Sequence, residues 1–181
     1  MAISQIGTDG LASGQTMTSP SLVTPTVTTT IGVGGATPAN TGAGVSFPAT
    51  QNASSDANTL DDYEEGSWTP SVSLGTITYG NPVYTKVGRL VTVSAYIQGF
   101  SDRTTATAVS VYGLPFTAGA AQNVGPMFMR QSSNSVTACY ASGGAVYFNF
   151  YGTTSGAYAP LLHSQLNASN SEIYFSLTYI V

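Results

Sequence analysis

Apolar and polar residues alternate with period two along most of the chain after Trp68. Leu90 to Ile97 places Val91, Val93, Ala95 and Ile97 on one side of an extended segment. Ala108 to Tyr112, Ala145 to Tyr151 and Ile173 to Val181 repeat the alternation. Successive side chains of a strand point to opposite faces, so each run predicts a strand with one face buried. Turn-forming residues separate the runs at Gly80-Asn81, Gly113-Leu114-Pro115, Ser142-Gly143-Gly144 and Asn167 to Ser171. No amphipathic helix is visible. The expected fold is all-β, an extended N-terminal arm followed by an antiparallel β-sandwich or jelly-roll-like domain over residues 68–181. Its last strand is expected to tie Val181 into the sheet.

Residues 1–55 follow a different grammar. Between residues 10 and 55 lie 46 consecutive positions without a charged side chain, rich in Thr, Ser, Gly and Ala, with prolines at Pro20, Pro25, Pro38 and Pro48. Proline, glycine and β-branched residues at this density exclude helix. Alone, such a segment buries too little apolar surface to offset the entropy of ordering it. It is either a flexible linker or an arm that orders against another chain. We take the second reading, with Ile3, Ile6, Leu11, Leu22, Val23, Val27 and Ile31 as its anchors. Residues 56–67 form an acidic junction holding five of the eight carboxylates, Asp56, Asp61, Asp62, Glu64 and Glu65. They read as a solvated turn or a single helical turn capped by Asn58 or Thr59. The oxygen spacing of a metal loop is lacking there.

Composition narrows the possible roles. Only 7% of the 181 residues are charged, against about 25% in an ordinary soluble domain. A surface of Ser, Thr, Gly, Asn and Ala packs against neighbours without desolvating ions, which suits a subunit of an assembly. The four cations, Lys86, Arg89, Arg103 and Arg130, form no run, so nucleic-acid binding is not expected. Cys139 is the only cysteine and reads as a small buried hydrophobe. Met1 to Gln5 has neither a basic start nor an apolar run behind it, so no export signal is expected, and no stretch approaches a membrane span.

Four stretches resemble a pattern of tailed-bacteriophage fibre and virion-appendage proteins. They are Gly42 to Gln51; the junction Leu60-Asp61-Asp62-Tyr63-Glu64-Glu65-Gly66-Ser67-Trp68-Thr69-Pro70; Tyr84-Thr85-Lys86-Val87-Gly88-Arg89-Leu90-Val91-Thr92-Val93; and Gly113-Leu114-Pro115-Phe116-Thr117. Together they span residues 42–117 in the family's order, with Ser67 where the family usually has Thr. The resemblance implies a virion structural protein made in the host cytoplasm. It would be a tail-fibre or appendage subunit, a homotrimer, held to other virion proteins by its arm. A capsid decoration protein, or head fibre, is the alternative.

The same residues have a physical reading of their own. Trp68 is a core or arm-docking anchor, and Pro70 suits the start or edge of a strand. Lys86-Val87-Gly88-Arg89 reads as a hairpin turn, with Gly88 at positive φ. Tyr140, Tyr147, Tyr151 and Tyr158 lie close in sequence and are candidates for contact with a host glycan or protein, or for strand packing. After Trp68 the only acids are Asp102 and Glu172, and the only imidazole is His163. A hydrolase needs such groups converging in a groove. No enzymatic activity and no cofactor or metal are expected.

Overall fold

A computed structural model describes residues 30–39, 41–131, 135–167 and 171–181, with Thr154 described in its backbone alone. The anchors Ile3, Ile6, Leu11, Leu22, Val23 and Val27 fall outside these residues. Ile31 lies in β1 (Thr30–Gly32), which pairs in parallel with β2 (Gly44–Ser46). Ile31 and its register partner Val45 both remain exposed.

The rest is all-β, as the alternation requires. The strands are β3 (Tyr63–Ser67), β4 (Ser71–Val72), β5 (Thr78–Val87), β6 (Leu90–Gln98), β7 (Ser110–Tyr112) and β8 (Asn123–Arg130). β9 (Ala138–Ala141), β10 (Tyr147–Thr154), β11 (Ala157–Pro160) and β12 (Glu172–Ile180) complete the set. The one helical element described is a 3₁₀ turn at His163–Gln165. The strands form one sheet in the order β3-β5-β6-β12-β8-β9-β10-β7-β4, with β11 also on β10, and every pairing in it is antiparallel.

β8 curls this sheet into two facing layers. Its first half, Asn123–Pro126, pairs with β9, and its second half, from Met127, pairs with β12. Where it changes partner the backbones come very close. A Cβ on Gly125 would run into Ser176 O, and would lie 2.8 Å from Cys139 Sγ. Only glycine fits there. The first layer is β3, β5, β6, β12 and the second half of β8. The second is the first half of β8, then β9, β10, β7, β11 and β4.

The core lies between the layers. Val91, Val93, Ala95 and Ile97 of β6 are buried, as are Ile173, Phe175, Leu177 and Tyr179 of β12. Phe175 projects across to Phe148 and Phe150 of β10 (ring centroids 5.0 and 5.8 Å) and meets the edge of Trp68 at 6.1 Å. Trp68 is thus a core residue, and its Nε1–H donates to Ser94 O at 3.3 Å. The β5–β6 hairpin turns on Gly88 (φ 55°) and Arg89, the pattern of a type II′ turn. Pro70 precedes the edge strand β4, and Gly113 (φ 93°) ends β7. Val181 is tied in by a bond from its N–H to Arg89 O at 2.9 Å, and Arg89 Nε donates back to Val181 O at 3.0 Å.

The acidic junction differs from its expected form. Asp56 to Thr59 does make a turn, closed by Thr59 N to Asp56 O at 3.1 Å. Tyr63–Ser67, however, is neither turn nor helix: it is the edge strand of the first layer, paired with β5 from Tyr63↔Val87 to Ser67↔Val83. Asp62 is fully buried rather than solvated. The reason is the cation that β5 brings beside it.

Candidate functional site

Lys86 points inward from β5, against the usual preference of lysine for the surface. Its side chain is 3% exposed, and its ion-pair partner Asp62 is 0% exposed. Lys86 Nζ also donates to Gln51 Oε1 at 3.3 Å and lies 5.4 Å from the centre of the Phe116 ring. Tyr84, two residues earlier on the same face, meets Phe116 edge-on at 5.6 Å. Gln51 turns its amide to Asp61 (Nε2 to Oδ1, 3.2 Å), and Asp61 accepts the Ser54 N–H at 2.8 Å. That amide holds the Asp61 carboxyl below the usual range. Burial lowers the pKa of Lys86, and the Asp61 charge opposes that shift in part. The cluster is a polar bolt between the end of the arm, the junction, the first layer and the loop after β7. One oxygen of Asp62, Oδ1, has no hydrogen-bond partner among the described residues.

His163 belongs to a second buried cluster. Its Nδ1 lies 3.1 Å from the backbone carbonyl of Asp102, which can only accept, so Nδ1 carries the proton. Nε2 faces Ser73 Oγ at 3.3 Å. Ser, His and Asp therefore meet, but the serine hydroxyl also has Ala108 O within reach at 3.1 Å, and the imidazole has no exposed surface. The Asp102 carboxylate makes its hydrogen bonds within its own turn. It accepts from Thr104 N at 3.0 Å and Thr105 Oγ1 at 2.6 Å, which bring its pKa down to about 2. Glu172 pairs with Arg130 at 2.8 Å. Cys139 is buried as expected, and desolvation pushes its thiol up to about 11.

The outer faces of the two layers differ. On the first layer, register places Tyr63, Val83, Val87, Leu90, Phe128 and Tyr174 outward, each substantially exposed. Tyr96 stacks on Tyr174 (5.4 Å), and Phe128 leans on the same ring at 6.2 Å. With Tyr96 they form two apolar groups, Tyr63, Val87 and Leu90 at one end of the face and Tyr96, Tyr174 and Phe128 at the other, where a concavity of about 490 Å³ opens. Val83 and the polar Thr92, Ser94, Ser176 and Thr178 lie between.

The second layer carries the tyrosines singled out in the sequence. Tyr140 (β9), Tyr151 (β10) and Tyr158 (β11) come together: Tyr140 stands edge-on to Tyr151 at 5.7 Å, and Tyr158 tilts against it at 5.6 Å. With Gln122, Val124 and Ala138 they wall a concavity of about 500 Å³. Tyr147 does not join them directly; it packs on Tyr112 of β7 at 5.1 Å, farther along the same face. The sequence reading missed Tyr112, Gln122 and Ser73, since only strand register reveals their neighbours. No family model, curated protein or solved structure matches the chain.

Proposed function

We propose that this chain is a non-enzymatic structural subunit of a bacteriophage particle, a tail-fibre or appendage protein anchored through its N-terminal arm. The observation that carries the reading is the meeting of the four stretches that resemble the phage pattern. Gln51 comes from the first, Asp62 from the second, Lys86 from the third and Phe116 from the fourth, and all surround one buried ammonium. Residues so far apart in sequence have a shared structural reason to occur together. Their convergence on one cluster supports reading the four stretches as one folding unit.

In this reading the outer face of the first layer packs against other copies in a homotrimer. Exposed apolar side chains at its two ends, Tyr63, Val87 and Leu90 at one and Phe128 and Tyr174 at the other, are surface that association would cover. The second layer is left facing outward. Light scattering of the purified full chain at micromolar concentration should give the mass of a trimer; a clean monomer would count against this arrangement. Cryo-electron microscopy of the intact virion tests the placement. Density at the tail supports the appendage, a lattice of copies over the shell indicates a capsid decoration, and absence from the particle refutes both.

A further inference from the structure

We propose that the concavity walled by Tyr140, Tyr151 and Tyr158 binds a neutral saccharide. The inference rests on the reading of the chain as an outward-facing virion subunit and adds the chemical class of what that face recognises. The walls form a corner, with Tyr140 at 89° to Tyr151 and Tyr158 at 56° to it. The space of about 500 Å³ lies in the range of small-ligand pockets. A pyranose offers an apolar C–H face for a ring to cover and a rim of hydroxyls for hydrogen bonds. Tyrosine supplies both an apolar ring and a polar tip, and Gln122 adds an amide at the edge.

Charge selects among ligands. No strand of the second layer contributes a charged residue: β4, β7, β9, β10, β11 and Asn123–Pro126 of β8 are all neutral. An anionic sugar or phosphate would lack the arginine or lysine that such groups recruit. A quaternary ammonium would meet ring faces with no carboxylate beside them. The first layer offers a second copy of the chain more exposed apolar side chains, among them Val83, Val87, Leu90 and Phe128.

The site is also pre-formed. Tyr158 is 81% exposed, an unusual position for so large a ring. It is held by Tyr151 and by the two-residue turn Ser155–Gly156, whose φ angles of 52° and 82° are those of a type I′ hairpin. With the backbone already set by the turn, only the two side-chain torsions of the ring remain to be ordered when a ligand covers it.

Saturation-transfer NMR on the full chain tests the proposal with neutral trisaccharides of glucose, galactose, mannose and N-acetylglucosamine. Trigalacturonate and choline serve as the charged probes. At least one neutral sugar should receive saturation from the tyrosine rings. Tyr158→Ala should weaken its binding by about tenfold or more; Tyr158→Phe should keep it within about threefold. Tyr79→Ala, an exposed ring of β5 on the opposite layer that belongs to neither the concavity nor the proposed trimer face, should leave it unchanged. No transfer to any neutral sugar, preference for choline or trigalacturonate, or binding that survives Tyr158→Ala would each overturn the inference. Such a failure, in a chain that microscopy still places on the virion, would leave the structural reading standing.

Discussion

Lys86→Met isolates the contribution of the buried bolt. Methionine keeps most of the aliphatic stem and its contact with Phe116 but removes the charge and the donors. Asp62 is then left fully buried with no cation and no hydrogen bond among the described residues, since Oδ1 already has no partner there and Oδ2 is held by Lys86. Removing one member of a buried pair costs about 3–5 kcal/mol, because the surviving charge stays desolvated. Against a total stability of about 5–15 kcal/mol, that is a large share. At about 2–4 °C per kcal/mol for a chain of this size, the midpoint should fall by roughly 6–20 °C. Urea unfolding followed by fluorescence suits the measurement, because Trp68 is the only tryptophan and sits in the core against Phe175. Wild type and variants must be compared at one protein concentration, so that association does not differ between them. The double variant Asp62→Leu/Lys86→Met should recover most of the loss, as neither charge then remains to be solvated. If Lys86→Met costs under about 1 kcal/mol, or the double variant is worse than both singles, the pair is not the buried bolt described here.

The remaining expectations concern other buried groups. Tyr179 is fully buried with its hydroxyl unpartnered, and desolvation raises its pKa to about 12, with the Phe116 backbone pulling the other way without meeting hydrogen-bond geometry. A raised folded pKa gives stability that is full below the unfolded value near 10 and is lost as pH rises toward 12. Tyr179→Phe should therefore leave neutral-pH stability within about 1 kcal/mol and reduce the fall in unfolding midpoint over that alkaline window; an unchanged alkaline profile would contradict it. His163→Ala should cost about 2–4 kcal/mol in urea unfolding by opening a cavity and unpairing the Asp102 carbonyl, and near-neutral behaviour would show that the cluster is not a latch. Cys139 should resist a thiol reagent at pH 8 in the folded chain and react at once in denaturant; prompt labelling without denaturant would put it at the surface.

How much of this was legible in the sequence depended on the contrast between strand faces. β6 and β12 alternate between apolar inward and polar outward residues such as Thr92, Ser94, Ser176 and Thr178, and their limits follow from that. β8 does not: Val124 and Phe128 point outward and are as apolar as the inward Met127 and Met129, so period two disappears. β3 was hidden by its acids, which suggest water until Lys86 of β5 is placed beside Asp62. β4 and β9 are too short for a pattern to register. The tyrosines were visible as a group, but register sorted them, sending Tyr147 to Tyr112 and keeping Tyr140, Tyr151 and Tyr158 together. Ser73 and His163 stand 90 residues apart, and nothing local in either segment announces the other.

The scarcity of charge becomes intelligible once the ions among the described residues are located. Lys86 is committed to Asp62, Arg89 to the Val181 carbonyl, Arg103 to the Phe100 carbonyl at 2.9 Å and Arg130 to Glu172. The acids are employed in the same way. Asp61 holds Gln51 and Ser54, Asp102 holds the Thr104–Thr105 turn, Asp56 accepts the Asn58 N–H at 2.9 Å, and Glu65 takes the Tyr63 hydroxyl. The outer face of the first layer keeps Glu65, Arg130 and Glu172. With other ions pinning turns, termini and the arm–domain junction, that of the second layer is left to residues such as tyrosine, valine, serine and threonine. Faces of that kind associate by shape and apolar contact and not by long-range steering, so salt screens little of what they do. Such faces need no steering to associate at high local concentration, and the charges among the described residues serve contacts within the chain.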